Sequence, residues 1–141
     1  MRVLVVDGGG SERRHLVAGL RQASLEVSEA ADRFAVKDVL GSVVPDMAIL
    51  RVNPGEMEEY LIADALRNAN PEVMIFITCV GAQFSQDYLV NEYAADGWVN
   101  RPYVLDDVLE CMSQAAGLGA YQSLESGMFS RITGTSLRVA K

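Results

Sequence analysis

VLVVDGGGS, Val3 to Ser11, is the stretch that decides the fold. Four apolar residues, three of them valine, run without interruption to Asp7, and the chain then breaks into Gly8-Gly9-Gly10. A short unbroken apolar run between turn residues suits a strand buried on both faces of a parallel sheet; a strand with one wet face would alternate instead. Past the glycines, Leu16 and Leu20 with the small Ala18 and Gly19 recur at helical spacing, and Ser11 is the expected N-cap.

Outward from this unit the same alternation repeats. Leu25 to Val27 reads as a second strand, followed by a helix around Phe34 to Leu40. Met47 to Leu50 is a third apolar run, closed by Arg51 and the Asn53-Pro54-Gly55 turn. Glu56 to Arg67 reads as a helix with Met57, Tyr60, Leu61 and Leu66 on its inner face. Val73 to Thr78 is the strongest strand signal. Helical spacing resumes through Phe84, Tyr88, Leu89 and Tyr93; Trp98 and Val99 form a short last strand. Val104 to Ala116 closes with a helix carrying Val108, Leu109 and Met112. Strands alternating with helices predict an α/β fold whose parallel sheet is covered on both faces through right-handed crossovers. Sites in such folds lie at the carboxyl ends of the strands. The residues to examine are therefore Asp7, Arg51, Thr78 and Arg101.

Composition narrows the function. The 141 residues are 50% hydrophobic, enough for one core, and residues 1–116 are expected to form it. Residues 117–141, opened by Gly117-Leu118-Gly119, read as a linker or the start of a following domain. The net charge of −7, with no Lys/Arg stripe, argues against nucleic-acid binding by this segment. No apolar stretch approaches the roughly 20 residues that cross a bilayer. The start at Met1-Arg2 lacks a signal-peptide pattern, so a cytoplasmic location is expected. Cys79 and Cys111, in unlike surroundings, are expected to be buried free thiols rather than a disulfide.

Four segments resemble the receiver domains of bacterial response regulators: VLVVD (Val3 to Asp7), PDMAIL (Pro45 to Leu50), MIFIT (Met74 to Thr78) and AADGWVNRPY (Ala94 to Tyr103). The last is similar, in register, to the family's GADDYLVKPF segment. Their order and spacing cover residues 1–116. The resemblance implies a flavodoxin-like (βα)5 three-layer sandwich, chemotaxis-regulator-like, with strand order 2-1-3-4-5. It also implies phosphoryl transfer to an aspartate ending the third strand, beside a divalent ion held by acidic residues after the first. A Ser/Thr and a lysine then bind the phosphoryl oxygens, since such transfer is largely positioning and charge neutralisation.

Carried over residue by residue, the pattern fails where the chemistry sits. Asp7 matches the first acidic residue, but Gly8 stands at the second. Arg51 occupies the phosphoacceptor position and is neither a nucleophile nor a metal ligand. Thr78 matches the switch hydroxyl, Arg101 replaces the lysine, and Trp98 takes the place of the family's switch aromatic. The expectation is a degenerate receiver, non-enzymatic and without cofactor or metal, with Asp7, Gly8, Arg51, Thr78 and Arg101 as a vestigial pocket. Arg51 has three readings: it pairs with Asp7 and holds one conformation, it merely snorkels to solvent, or it joins Thr78 and Arg101 around a small anion.

Other motifs weigh less. The glycine run lacks the spacing of a nucleotide loop, since Arg13 stands where a third glycine belongs. His15, the only histidine, has no ligand partner at metal spacing and reads as a helix-face residue beside Arg13 and Arg14. Tyr88, Tyr93, Trp98 and Tyr103 cluster around the fourth helix, fifth strand and fifth helix. In the resembled family that is a dimer and partner surface, so a homodimer or protein partner is expected there, with core packing as the plain alternative. Phe129 to Val139 (FSRITGTSLRV) resembles the junction before the ATPase module of sigma-54-dependent transcriptional activators, which implies a downstream output domain. A stand-alone interaction module and a small-ligand sensor using the modified cleft are the alternatives.

Overall fold

A computed structural model describes residues 1–81 and 84–117. The expected alternation is present as β1 (Arg2–Val6), α1 (Gly10–Gln22), β2 (Glu26–Ala30), α2 (Arg33–Leu40), β3 (Met47–Val52), α3 (Glu58–Ala69), β4 (Met74–Cys79), α4 (Gln86–Glu92), β5 (Gly97–Trp98) and α5 (Leu105–Ala115). The five strands form one parallel sheet in the order β2-β1-β3-β4-β5. The Phe129 to Val139 junction, like the rest of 118–141, lies outside the described residues.

The strands' alternate residues separate two cores. Val3, Val5, Met47, Ile49, Met74 and Phe76 pack against Leu16, Val17 and Leu20 of α1 and Val108, Leu109 and Met112 of α5. Leu4, Val6, Ala48, Leu50, Ile75 and Ile77 face Val36 of α2, Ile62 and Leu66 of α3 and Leu89 of α4. Each fully buried Leu, Ile or Phe contributes about 1.5–3 kcal/mol through removal from water. Because both faces are covered, β1, β3 and β4 read as unbroken apolar runs.

Several local readings are corrected. Helix α1 begins at Gly10 with Gly9 as its N-cap and no side-chain cap, so Ser11 is already inside the helix. Strand β2 runs on to Ala30 through Ser28 and Glu29; as an edge strand it tolerates polar residues, and Glu29 is paired with Arg13 at 2.9 Å. Helix α3 buries Glu59, Ile62, Ala63 and Leu66, whereas Met57 and Leu61 are exposed and Tyr60 is half-buried. One residue turns a helix by about 100°; Ile62 and Leu66 set the phase, and Met57 precedes the helix. Helix α4 is shorter than its apolar spacing suggested, because Ser85 caps it by accepting from the Tyr88 amide. Both cysteines are free, as expected, but half-buried.

Candidate functional site

Strand register assembles the site. Val5 pairs with Ile49 and Arg51 with Thr78, so Asp7, just past β1, continues the row that holds Arg51 and Thr78. In parallel strands, paired residues project to the same face. This row is the carboxyl-end extension of the α1/α5 core. Val99, whose amide bonds to the Ile77 carbonyl, leads β5 toward Arg101 on the same side.

Asp7 is the centre, with its side chain fully shielded from solvent. Its Oδ1 accepts from the Gly9 amide at 2.8 Å and from Arg51 Nη1 at 3.4 Å. Its Oδ2 accepts from Arg101 Nη1 at 2.9 Å and from the Tyr103 hydroxyl at 2.7 Å. Arg101 Nη1 also donates to the Tyr103 oxygen at 2.9 Å, and its Nη2 pairs with Glu12 of α1. Arg13 donates to the Asp7 carbonyl. Gly9 lets the loop approach closely: a Cβ there would stand 3.2 Å from Asp7 Oδ1 and 3.6 Å from Arg51 Nη1, so these side chains would have to shift.

The electrostatics follow from this crowding. Burial pushes the Asp7 carboxyl up, but bonds from Arg101, Tyr103 and the Gly9 amide outweigh it and hold it below the ordinary carboxylate value. Burial, reinforced by the bond to Asp7, pushes the Tyr103 phenol up, so it remains a donor. Burial opposes the Arg101 charge, yet Asp7 more than restores it. On the other side of the cleft, burial raises the carboxyl of Glu59, which accepts from the Asn53 amide at 2.8 Å.

These residues do not fit a divalent cation. Hard cations need several oxygen ligands. Here each Asp7 oxygen already accepts two donors, and two guanidinium groups stand on the same carboxylate. Among the described residues, no three His, Cys, Asp or Glu side chains gather to hold a metal.

The structure brings Asp7, Arg51 and Arg101 into contact and sets Thr78 beside Arg51. The Thr78 hydroxyl is buried without a hydrogen-bond partner, as is Arg51 Nε. Gly8 is exposed at the lip. The aromatic quartet is dispersed. Tyr93 is buried and stacked on Tyr60 at 4.6 Å, which removes it from any surface. Tyr103 points inward to Asp7, and Trp98 is half-buried with its indole N–H on Asn100 at 3.1 Å. Tyr88 alone of the four is exposed, stacked on Phe84 at 5.2 Å. Sequence reasoning missed Tyr103 and Glu12 as site residues; the two-residue spacing from Arg101 to Tyr103 is the signal that could have found the tyrosine.

No protein-family model matches the chain. It is 24% identical over 132 residues to the transcriptional regulatory protein PhoP of Escherichia coli K12 and to the virulence transcriptional regulatory protein PhoP of Shigella flexneri. In each case 94% of this chain and 56% of the relative are covered, so the chain spans little more than half the relatives' length. Among solved structures, a response regulator receiver protein from Burkholderia phymatum superposes with a TM-score of 0.71 at 20% identity, covering 84% of this chain and 97% of that one. The Vibrio cholerae chemotaxis regulator CheY4 gives 0.68 at 22%, covering 81% and 97%. A Burkholderia pseudomallei response regulator carrying a phosphorylated aspartic acid, a calcium ion and citrate gives 0.68 at 16%, covering 82% and 68%. The described residues therefore share the CheY-like fold of these response regulator receiver domains.

Proposed function

We propose that this domain is a regulatory, non-catalytic receiver that accepts no phosphate at the end of its third strand and signals through protein–protein contacts. The observation that carries the reading is the donor cage on Asp7. Arg51, Arg101 and Tyr103 occupy the carboxylate that would otherwise be open to a cation, and position 51 offers no carboxylate to phosphorylate. Asp46 is no substitute, since it lies at the opposite end of β3, accepting from the Arg2 amide at 2.8 Å. Asp7, Gly8, Arg51, Thr78 and Arg101 are then the remnant of a phosphorylation pocket, closed by an internal ion pair.

The partner surface in this reading is α4, β5 and α5, with the exposed Phe84–Tyr88 stack as its aromatic element and a homodimer or a second protein as its occupant. The matched relatives are transcriptional regulators longer than this chain, which supports an attached output module. A sigma-54-type ATPase module rests on the sequence of Phe129 to Val139 alone. No helix among the described residues is long and apolar enough to cross a membrane, in keeping with action in the cytoplasm.

Incubation with acetyl phosphate and magnesium, followed by intact-mass measurement, tests the central point. No mass gain is expected, and beryllofluoride with magnesium leaves the melting temperature unchanged. A stable gain of one phosphate overturns the reading.

A further inference from the structure

We propose that Arg51 exchanges between two carboxylates: Asp7, just past β1, and the buried Glu59 in the first turn of α3. The exchange couples the pocket to the β3–α3 segment. Two incompletely matched groups point to the second position. Glu59 is 3% exposed, and its carboxyl accepts from the Asn53 amide at 2.8 Å. Among the described residues, no cationic side chain forms an ion pair with it. Carboxylates are almost never buried so fully unless paired. On the other side of the same cavity, Arg51 Nε is buried and has no hydrogen-bond partner. A carboxylate has room for about four donors, and an arginine fork can supply two of them.

The geometry lets one side chain serve both. Asp7, Arg51, Asn53, Glu58 and Glu59 line a single cavity of about 140 Å³. Asn53, whose amide holds Glu59, lies two residues past Arg51, a separation of at most about 7 Å. That is within the length of an extended arginine side chain. The present hold of Arg51 is loose: its contact with Asp7 is 3.4 Å, against 2.9 Å from Arg101 and 2.7 Å from Tyr103. When Arg51 swings to Glu59, Asp7 keeps the Gly9 amide, Arg101 and Tyr103. When it returns, Glu59 keeps the Asn53 amide. Neither position strips a carboxylate of all its donors, which keeps the two arrangements close in free energy.

The balance turns on the charge of Glu59. Burial pushes its carboxyl up, and Glu56 and Glu58 on its own side add to the rise. Asp7 and Asp32 line the same cavity, and the nearby Tyr93 phenol of α4, pushed up by burial, stays neutral. Arg51 is the only cation among the described residues lining the cavity. Below the folded Glu59 value the carboxyl is neutral and Arg51 stays on Asp7, whose own value is held low. Above it Glu59 is charged and draws Arg51 across. The inference deepens the reading of a pocket closed by its own ion pair and rests on it. The two fail separately, since phosphorylation alters mass and the exchange alters only chemical shifts and titration midpoints.

The test is a pH titration of the 15N,13C-labelled chain by NMR, following the Glu59 carboxyl carbon and the Arg51 side-chain Nε–H. Expected is an Arg51 shift with the same midpoint as Glu59. Glu59→Gln, which keeps an acceptor for the Asn53 amide, abolishes that shift. A double-mutant cycle separates exchange from a simple field effect. Asp7→Asn frees Arg51 and lowers the Glu59 midpoint by about one unit, a tenfold change in proton affinity. In the Arg51→Gln background the same substitution leaves the midpoint nearly unmoved. An Arg51 resonance indifferent to Glu59 ionisation overturns the proposal, as does an Asp7→Asn effect of equal size with and without Arg51. If Asp7→Asn does not fold, the wild-type and Glu59→Gln titrations decide alone. A mass gain under phosphate donors strikes instead the reading on which the inference rests.

Discussion

Asp7→Asn is the most informative single perturbation, because the sign of its effect separates two pictures of the pocket. In one, Asp7 is a carboxylate awaiting a cation, and removing its charge relieves repulsion and stabilises the fold. In the other, Asp7 is the shared counter-ion of Arg51 and Arg101, and removing it leaves guanidinium charge without a partner. The structure supports the second: Asp7 is 1% exposed and accepts four hydrogen bonds, two of them from arginine. Removing one partner of a buried ion pair costs about 3–5 kcal/mol. Arg101 retains Glu12 and Arg51 reaches water, so the low end applies, about 3 kcal/mol. For a domain of this size that corresponds to a fall of roughly 10 °C in melting temperature. The assay is urea unfolding of both proteins followed by circular dichroism across pH. The Asp7 carboxyl titrates below its ordinary value when folded, so its stabilisation is fully present above the unfolded value of about 3.9. It is lost as pH falls through the lower folded value. The gap between wild type and variant is therefore widest at neutral pH and closes in acid. A variant as stable as wild type at pH 7, or more so, refutes the reasoning.

Three further outcomes follow from named contacts. Tyr103→Phe removes one donor from Asp7 but leaves three, and unfolding curves should show a loss of about 1.5 kcal/mol. Gly97→Ala places a Cβ 3.0 Å from the Phe76 ring and 3.3 Å from Cys111 Sγ, and the same assay should register a loss of about 1–3 kcal/mol from overpacking. Gly8→Asp combined with Arg51→Asp surrounds Asp7 with two further carboxylates. Magnesium should then raise the melting temperature of the double variant while leaving the wild type unchanged.

The sequence by itself determined the layered α/β fold and the strand ends at which the site lies. Both depend on periodicity, and runs such as Val3 to Val6 and Met74 to Thr78 are apolar throughout because the sheet is buried on both faces. It also determined that position 51 has no carboxylate, a matter of covalent chemistry alone. Tertiary structure decided what the remaining side chains do. Tyr103 belongs to Asp7 rather than to a surface, and Tyr93 to Tyr60, because strand register and helix phase set the direction of each ring. The phase of α3 was misread for the same reason: Met57 and Leu61 are as apolar as Ile62, and only packing against β3 and β4 selects which of them is buried. Partners more than 90 residues apart, such as Asp7 with Arg101 and Tyr103, leave no local pattern. Their encounter is a property of the folded sheet.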